Sequence, residues 1–156
     1  MSSKAGTINA AIKTALEAIS AGETYQNTVK GVYRVFRPPQ DSEAPEDFPY
    51  INFRTITYDE EPSASTRKKV HALLHLGLYV HMPDGTADDD VDDLIQSLIS
   101  DVKIALDSDS SLSTNVWGGH VAEVIVAEIV ADRSGFISAD VVYDCWFKHT
   151  VTDPTS

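Results

Sequence analysis

The chain has 156 residues, enough for one domain that buries about two-thirds of its unfolded surface. Its 42% hydrophobic and 23% charged content is ordinary for a soluble globular protein, but 24 acids against 12 bases leave a net charge of −12. Such a surface repels phosphate backbones and anionic lipid, so simple nucleic-acid binding is disfavoured, and no apolar run approaches the ~20 residues of a membrane span.

The acidity is concentrated. Nine Asp and one Lys lie between Asp84 and Asp109, and seven acids and one Arg lie in residues 41–61, leaving the rest slightly basic. Cys145 is the one cysteine, which excludes an intrachain disulfide and a cysteine-rich metal knuckle. The opening MSSKAGTINAAIKTALEAI is amphipathic and lacks the continuous apolar core of a signal peptide. The chain therefore reads as cytoplasmic, soluble and unprocessed.

Taken in chain order, Ile8, Ile12, Ala15, Leu16 and Ile19 repeat at helical spacing behind Thr7, a candidate N-cap, with Gly22 beyond the last turn. VKGVYRVF (29–36) reads as a strand stopped by Pro38 and Pro39, and PPQDSEAPEDFP as a proline-punctuated loop. YINFRTITY (50–58) is a second strand and DEEPSASTRKK (59–69) a long hairpin tip. In VHALLHLGLYVH (70–81) the even positions Val70, Ala72, Leu74, Leu76, Leu78 and Val80 form a wholly apolar face. The odd positions His71, Leu73, His75, Gly77, Tyr79 and His81 face solvent or a partner.

MPDG then leads into a helix over 87–106, with Val91, Leu94, Ile95, Leu98, Val102 and Leu106 on one stripe. SDSSLSTNVWGG is a loop. HVAEVIVAEIVAD and ISADVVYDCWFKH flank RSG as a closing hairpin, with Ala139, Val141, Tyr143, Cys145 and Phe147 facing inward. The predicted fold is α+β and two-layered: two helices on one face of a mainly antiparallel five-stranded sheet, in the order α-β-β-β-α-β-β. Residues 1–150 form the single domain and 151–156 a flexible tail.

Chemistry is hard to place on this chain. Asp88, Asp89, Asp90, Asp92 and Asp93 lack the alternation, following Gly and closing Glu of a calcium-binding hand, and successive helical residues project about 100° apart. A helix start explains them, because free N–H groups and the positive dipole end favour Asp there. His71 and His75 lie about 13 Å apart along one strand at ~3.3 Å per residue, too far for one metal. WGGH (117–120) has no nucleophile elbow to serve, and no motif surrounds Cys145. Arg67, Lys68 and Lys69 read as a solvated tip or a partner contact. No phosphate loop, dinucleotide fingerprint or zincin helix is present, so no cofactor, metal or catalytic residue is assigned and an enzyme is not expected. If the helices cover one sheet face only, Leu73, Tyr79, Val142 and Trp146 are left uncovered on the other, as at an interface.

Several stretches together span nearly the whole chain: INAAIKTALEAI, FPYINFRTI, ALLHLGLYVH, ADDDVDDLIQSLISDVKIALDSD and the hairpin ending ADVVYDCWFKH. Their order resembles that of the tail terminator, or tail completion, proteins of long-tailed bacteriophages. The resemblance implies a structural virion protein, assembled in the host cytoplasm, whose copies form a ring, expected to be a hexamer, on the last ring of the tail tube. The ring would stop tube growth and offer a surface to a head-completion protein. Double-stranded DNA would pass through it without being specifically bound, and no membrane is involved. A cyclic ring joins unlike patches on neighbouring subunits. Charge and apolarity then nominate Arg34, Arg37, Arg67, Lys68, Lys69, Tyr79 and Trp146 for subunit or tube contacts. The aspartates 88–90 and 92–93 would face the lumen or an exposed rim. A head–tail connector of the same virion and a monomeric module binding a ligand or peptide near Tyr79 and Trp146 are the alternatives.

Overall fold

The computed structural model describes residues 4–35, 45–64, 67–83, 85–108, 118–126 and 135–150. Two helices, α1 (Lys4–Glu17) and α2 (Asp88–Ser108), pack on one face of a sheet built from β1 (Gly31–Tyr33), β2 (Tyr50–Ala64), β3 (Arg67–Met82), β4 (Gly118–Val126) and β5 (Gly135–Thr150). The spatial order of these strands is β1-β2-β3-β5-β4. β1 runs parallel to β2 and every other pair is antiparallel, so the α+β class and the α-β-β-β-α-β-β order are as expected.

The core follows the two periodicities in the sequence. On β3 all six even positions from Val70 to Val80 are buried. On β5 the same holds for Ile137, Ala139, Val141, Tyr143, Cys145 and Phe147. The register sets these rows side by side, Leu76 against Val141 and Ala72 against Cys145, so one apolar plane spans both strands. α2 lays Val91, Ile95, Leu98, Ile99, Val102, Ala105 and Leu106 onto it, and α1 adds Ile8, Ala11, Ile12, Ala15 and Leu16. Each fully buried Leu, Ile or Val side chain contributes roughly 1.5–3 kcal/mol, far more than local helix propensity, which is why both helices keep this orientation.

Some boundaries differ from the expected ones. Helix α1 begins at Lys4, so Thr7 lies inside the first turns rather than capping them. Ala5, three residues before Ile8, packs against the core and carries the apolar stripe back one turn. The helix ends at Glu17, and the Ile19 amide closes on the Leu16 carbonyl at 3.2 Å while its side chain stays buried. β1 is three residues long rather than eight. The Val29 amide is committed to Ile19 O and the Lys30 amide to Pro49 O, while Arg34 and Val35 are exposed.

Residues 59–64 and 67–69, expected in a hairpin tip, belong to paired strands. β2 and β3 stay paired through Asp59–His71, Glu60–Val70, Glu61–Lys69 and Pro62–Lys68. In this register Asp59 falls opposite His71 and Glu61 opposite Lys69, and opposite-charge positions of this kind favour an extended ladder. Pro62 is tolerated because β1 pairs only with residues 50–52, which leaves distal β2 as an edge among the described residues. The glycines expected to close the loop before β4 are its first two residues. A Cβ on Gly119 would collide with the Tyr143 hydroxyl oxygen, so the bare backbone there makes room for a buried tyrosine ring. The proline loop at 37–44, the strand residues 127–132 and the tail 151–156 lie outside the described residues.

Candidate functional site

The sheet face opposite the helices carries the odd-numbered side chains of β3 and the register partners of each. In successive rows it presents Asp59–His71–Trp146, Thr57–Leu73–Asp144, Arg54–His75–Val142, Asn52–Gly77–Asp140 and Tyr50–Tyr79–Ser138. Leu73, Val142 and Trp146 are half-buried, as expected for apolar side chains on an uncovered face. Tyr79 departs from the expectation. It is buried, with its ring stacked on Tyr50 at 4.9 Å and Phe136 edge-on at 6.0 Å. Phe48 packs against Tyr50 at 5.3 Å and Tyr33 against the same ring at 6.0 Å, making a second, aromatic core on this side. Burial raises the Tyr79 hydroxyl above its usual range, the Asn52 hydrogen bond partly offsets that, and the Asp140 charge adds to it.

Two of the three β3 histidines, His71 and His75, are paired with carboxylates, whereas His81 Nδ1 lies 3.0 Å from the Gly135 carbonyl oxygen. His71 Nε2 hydrogen-bonds Asp144 Oδ1, and its Nδ1 stands 4.0 Å from Asp59 Oδ2. Its ring stacks on the Trp146 indole at 3.9 Å with the planes 9° apart, and Lys69 Nζ sits 4.3 Å from the same indole. His75 Nε2 lies 3.3 Å from Asp140 Oδ1. None of these pairs is readable from the sequence, because Asp140 and Asp144 meet their histidines only through the β3–β5 register. Together, Asn52, Phe53, Arg54, His75, Gly77, Tyr79 and Asp140 line a cavity of about 100 Å³. Pockets for drug-sized ligands run to roughly 300–1,000 Å³, so this one suits a few waters or one small polar group. Trp146 is not part of it, so the two residues nominated for a ligand pocket are not brought together.

The remaining nominated residues are dispersed. Arg34 is exposed just beyond β1, at one edge of the sheet. Arg67 and Lys68 occupy the start of β3, in register with Thr150 and His149, and Arg37 lies outside the described residues. Asp89, Asp90, Asp92 and Asp93 are exposed at the start of α2, as a solvated helix entrance requires, and Asp88 is its first residue.

One acid of α2 behaves differently, and sequence reasoning did not single it out. Asp101 is 1% exposed and accepts hydrogen bonds from the Gln26 amide, the Asn27 amide and Asn27 Nδ2 at 2.8–3.1 Å. It latches the segment after α1 onto α2 and is a structural residue. Its only sequence signal is position: it sits among the apolar stripe residues Leu98, Val102 and Ala105 rather than on the opposite face.

Cys145 is buried in the helix-side core, and burial, with the Asp144 charge adding to it, pushes its thiol up to about 12. A thiol so placed is no nucleophile at neutral pH. Among the described residues no group of three or more His, Cys, Asp or Glu side chains is placed to hold a metal ion, and no helix is long and apolar enough to cross a membrane. The chain matches none of the known protein families it was compared with, and none of the curated proteins.

Proposed function

We propose that the chain is a structural virion protein that caps a phage tail tube as a ring, ends tube polymerisation and provides the head-joining surface. The observation that supports this most is the order of elements along nearly the whole chain, α-β-β-β-α-β-β with both helices on one sheet face, which is the arrangement on which the resemblance to tail terminators rests. Two further features agree with it. The second sheet face presents half-buried Leu73, Val142 and Trp146, which suits packing against a neighbouring subunit or the tube protein. The exposed aspartates of α2 would repel DNA phosphates whether they face the lumen or the rim.

Light scattering across a concentration series, with negative-stain images of the same samples, tests the ring. A sixfold mass or annular particles support it. A protein that stays monomeric and also fails to limit tube length when added to polymerising tube protein overturns it. Deleting the gene from its phage separates the terminator from a head–tail connector: overlong, ragged tubes mark the first, and normal-length tails left unjoined to heads mark the second. The cavity beside Tyr79 favours a monomeric binding module as the second reading, but its volume limits the occupant to a small polar group.

A further inference from the structure

The Asp59–His71–Asp144 array joins three strands on the face the helices leave open, and its geometry is asymmetric. Nε2 is hydrogen-bonded to Asp144, whereas Nδ1 faces the Asp59 carboxylate at 4.0 Å, beyond hydrogen-bond distance. A neutral imidazole donates from one nitrogen only. With Nε2–H given to Asp144, Nδ1 turns a lone pair toward a carboxylate, and the two repel. A protonated ring donates from both nitrogens. We propose that this array is a protonation-dependent clasp: uptake of a solvent proton at Nδ1 makes His71 a double donor that draws Asp59 in and ties distal β2 to β5 across β3.

The surroundings suit such a device. Asp59 is 75% exposed on a strand half that has no outer neighbour among the described residues, so it can move the short distance required, whereas Asp144 is held at 15% exposure. The charged and titratable residues at register positions on this face are Arg54 and Asp59 on β2, with Glu61 in register opposite Lys69; His71, Lys69 and His75 on β3; Asp140, Asp144 and Lys148 on β5; and His120 and Glu123 on β4, opposite Asp144 and Val142. His75 has its own partner in Asp140. Lys69 Nζ lies 4.3 Å from the Trp146 ring on which His71 stacks, and carboxylates stand on both sides of the imidazole. Stacking on Trp146 keeps the imidazole plane fixed while its charge changes, so the motion falls to Asp59.

NMR of the full chain between pH 5 and 8 tests this without reference to ring formation. The expected result is that the Asp59 carboxylate carbon and the Trp146 indole resonance shift with the same midpoint as the His71 ring nitrogens. Amides of residues 57–60 should exchange at least threefold more slowly, after correction for intrinsic rates, once His71 is protonated. In Asp59→Asn, a change at an exposed side chain, that slowing should vanish while the His71–Asp144 bond persists. An Asp59 carbon that follows only its own acidic titration, or slowing retained in the variant, overturns the proposal.

Discussion

At the scale of single residues, the buried groups make the sharpest commitments. The Cys145 thiol ordinarily ionises near 9.0 and is pushed up to about 12 by burial, and Tyr143 is raised above its ordinary 10.0 by burial first and the neighbouring Cys145 second. Both are acids whose neutral form the fold prefers. Their contribution is complete below the unfolded values and is lost as pH rises toward the folded ones. Stability measured by urea titration should therefore decline above pH 9. In Cys145→Ala the decline should start only near pH 10, where Tyr143 takes over. In the native protein the thiol should also resist a disulfide reagent at pH 8 and react at once in denaturant. Asp101→Ala should cost about 2–3 kcal/mol, since it strips a charged acceptor from two backbone amides and one side-chain amide, and chemical denaturation reads that directly. These roles were only partly legible. The alternation of β5 put Cys145 inside, but nothing in a run of acids marks Asp101 as the buried one until the segment at residues 26–27 folds against it.

Elements show where local signals suffice and where they do not. The strict period of two in β3 and the helical stripe of α2 set which face of each is buried, because a one-residue slip would expose every apolar side chain at once. Ends were less legible. Pairing partners elsewhere in the chain decided them: β2 runs on in register with β3 through Asp59–His71 and Glu61–Lys69, and amides committed to Ile19 and Pro49 keep β1 short. The two glycines opening β4 make a matched test. Gly119→Ala places a methyl against the buried Tyr143 ring and should destabilise by about 1–3 kcal/mol, whereas Gly118→Ala, with open space at its Cβ, should stay within about 0.5 kcal/mol. Thermal unfolding of the pair decides whether the ring over Gly119 fixes the β4–β5 edge.

At the scale of the whole molecule, charge is the dominant fact. A net −12 at pH 7, with a dense share at the entrance of α2, opposes compaction. Raising salt from 10 to 150 mM, which shortens the screening length to about 8 Å, should raise the melting temperature. Replacing Asp89, Asp90, Asp92 and Asp93 by Asn should leave subunit stability within about 2 kcal/mol, because first-turn acids contribute only about 0.3–1 kcal/mol each and repulsion among them is relieved. If the acidic helix lies at a subunit boundary, the same variant should alter the salt dependence of ring formation, read by light scattering. Unchanged salt dependence would remove that helix from the boundary.

The sequence alone determined the class of fold, the order of its elements and the face each buries, since those follow from periodicities of 2 and 3.6 residues that every local stretch carries in itself. It also fixed the excess of negative charge and the absence of familiar catalytic motifs. Tertiary structure alone decided which polar residues meet. Asp144 reached His71, Asp140 reached His75, and Asp101 reached residues 26–27, over separations of 65 to 75 residues. It also moved Tyr79 from an open face into an aromatic cluster with Tyr50 and Phe48. The physical reason is common to these cases: a polar or aromatic contact between distant strands depends on register and burial, which are set by how the apolar faces pack together, and no single stretch of the chain contains that information.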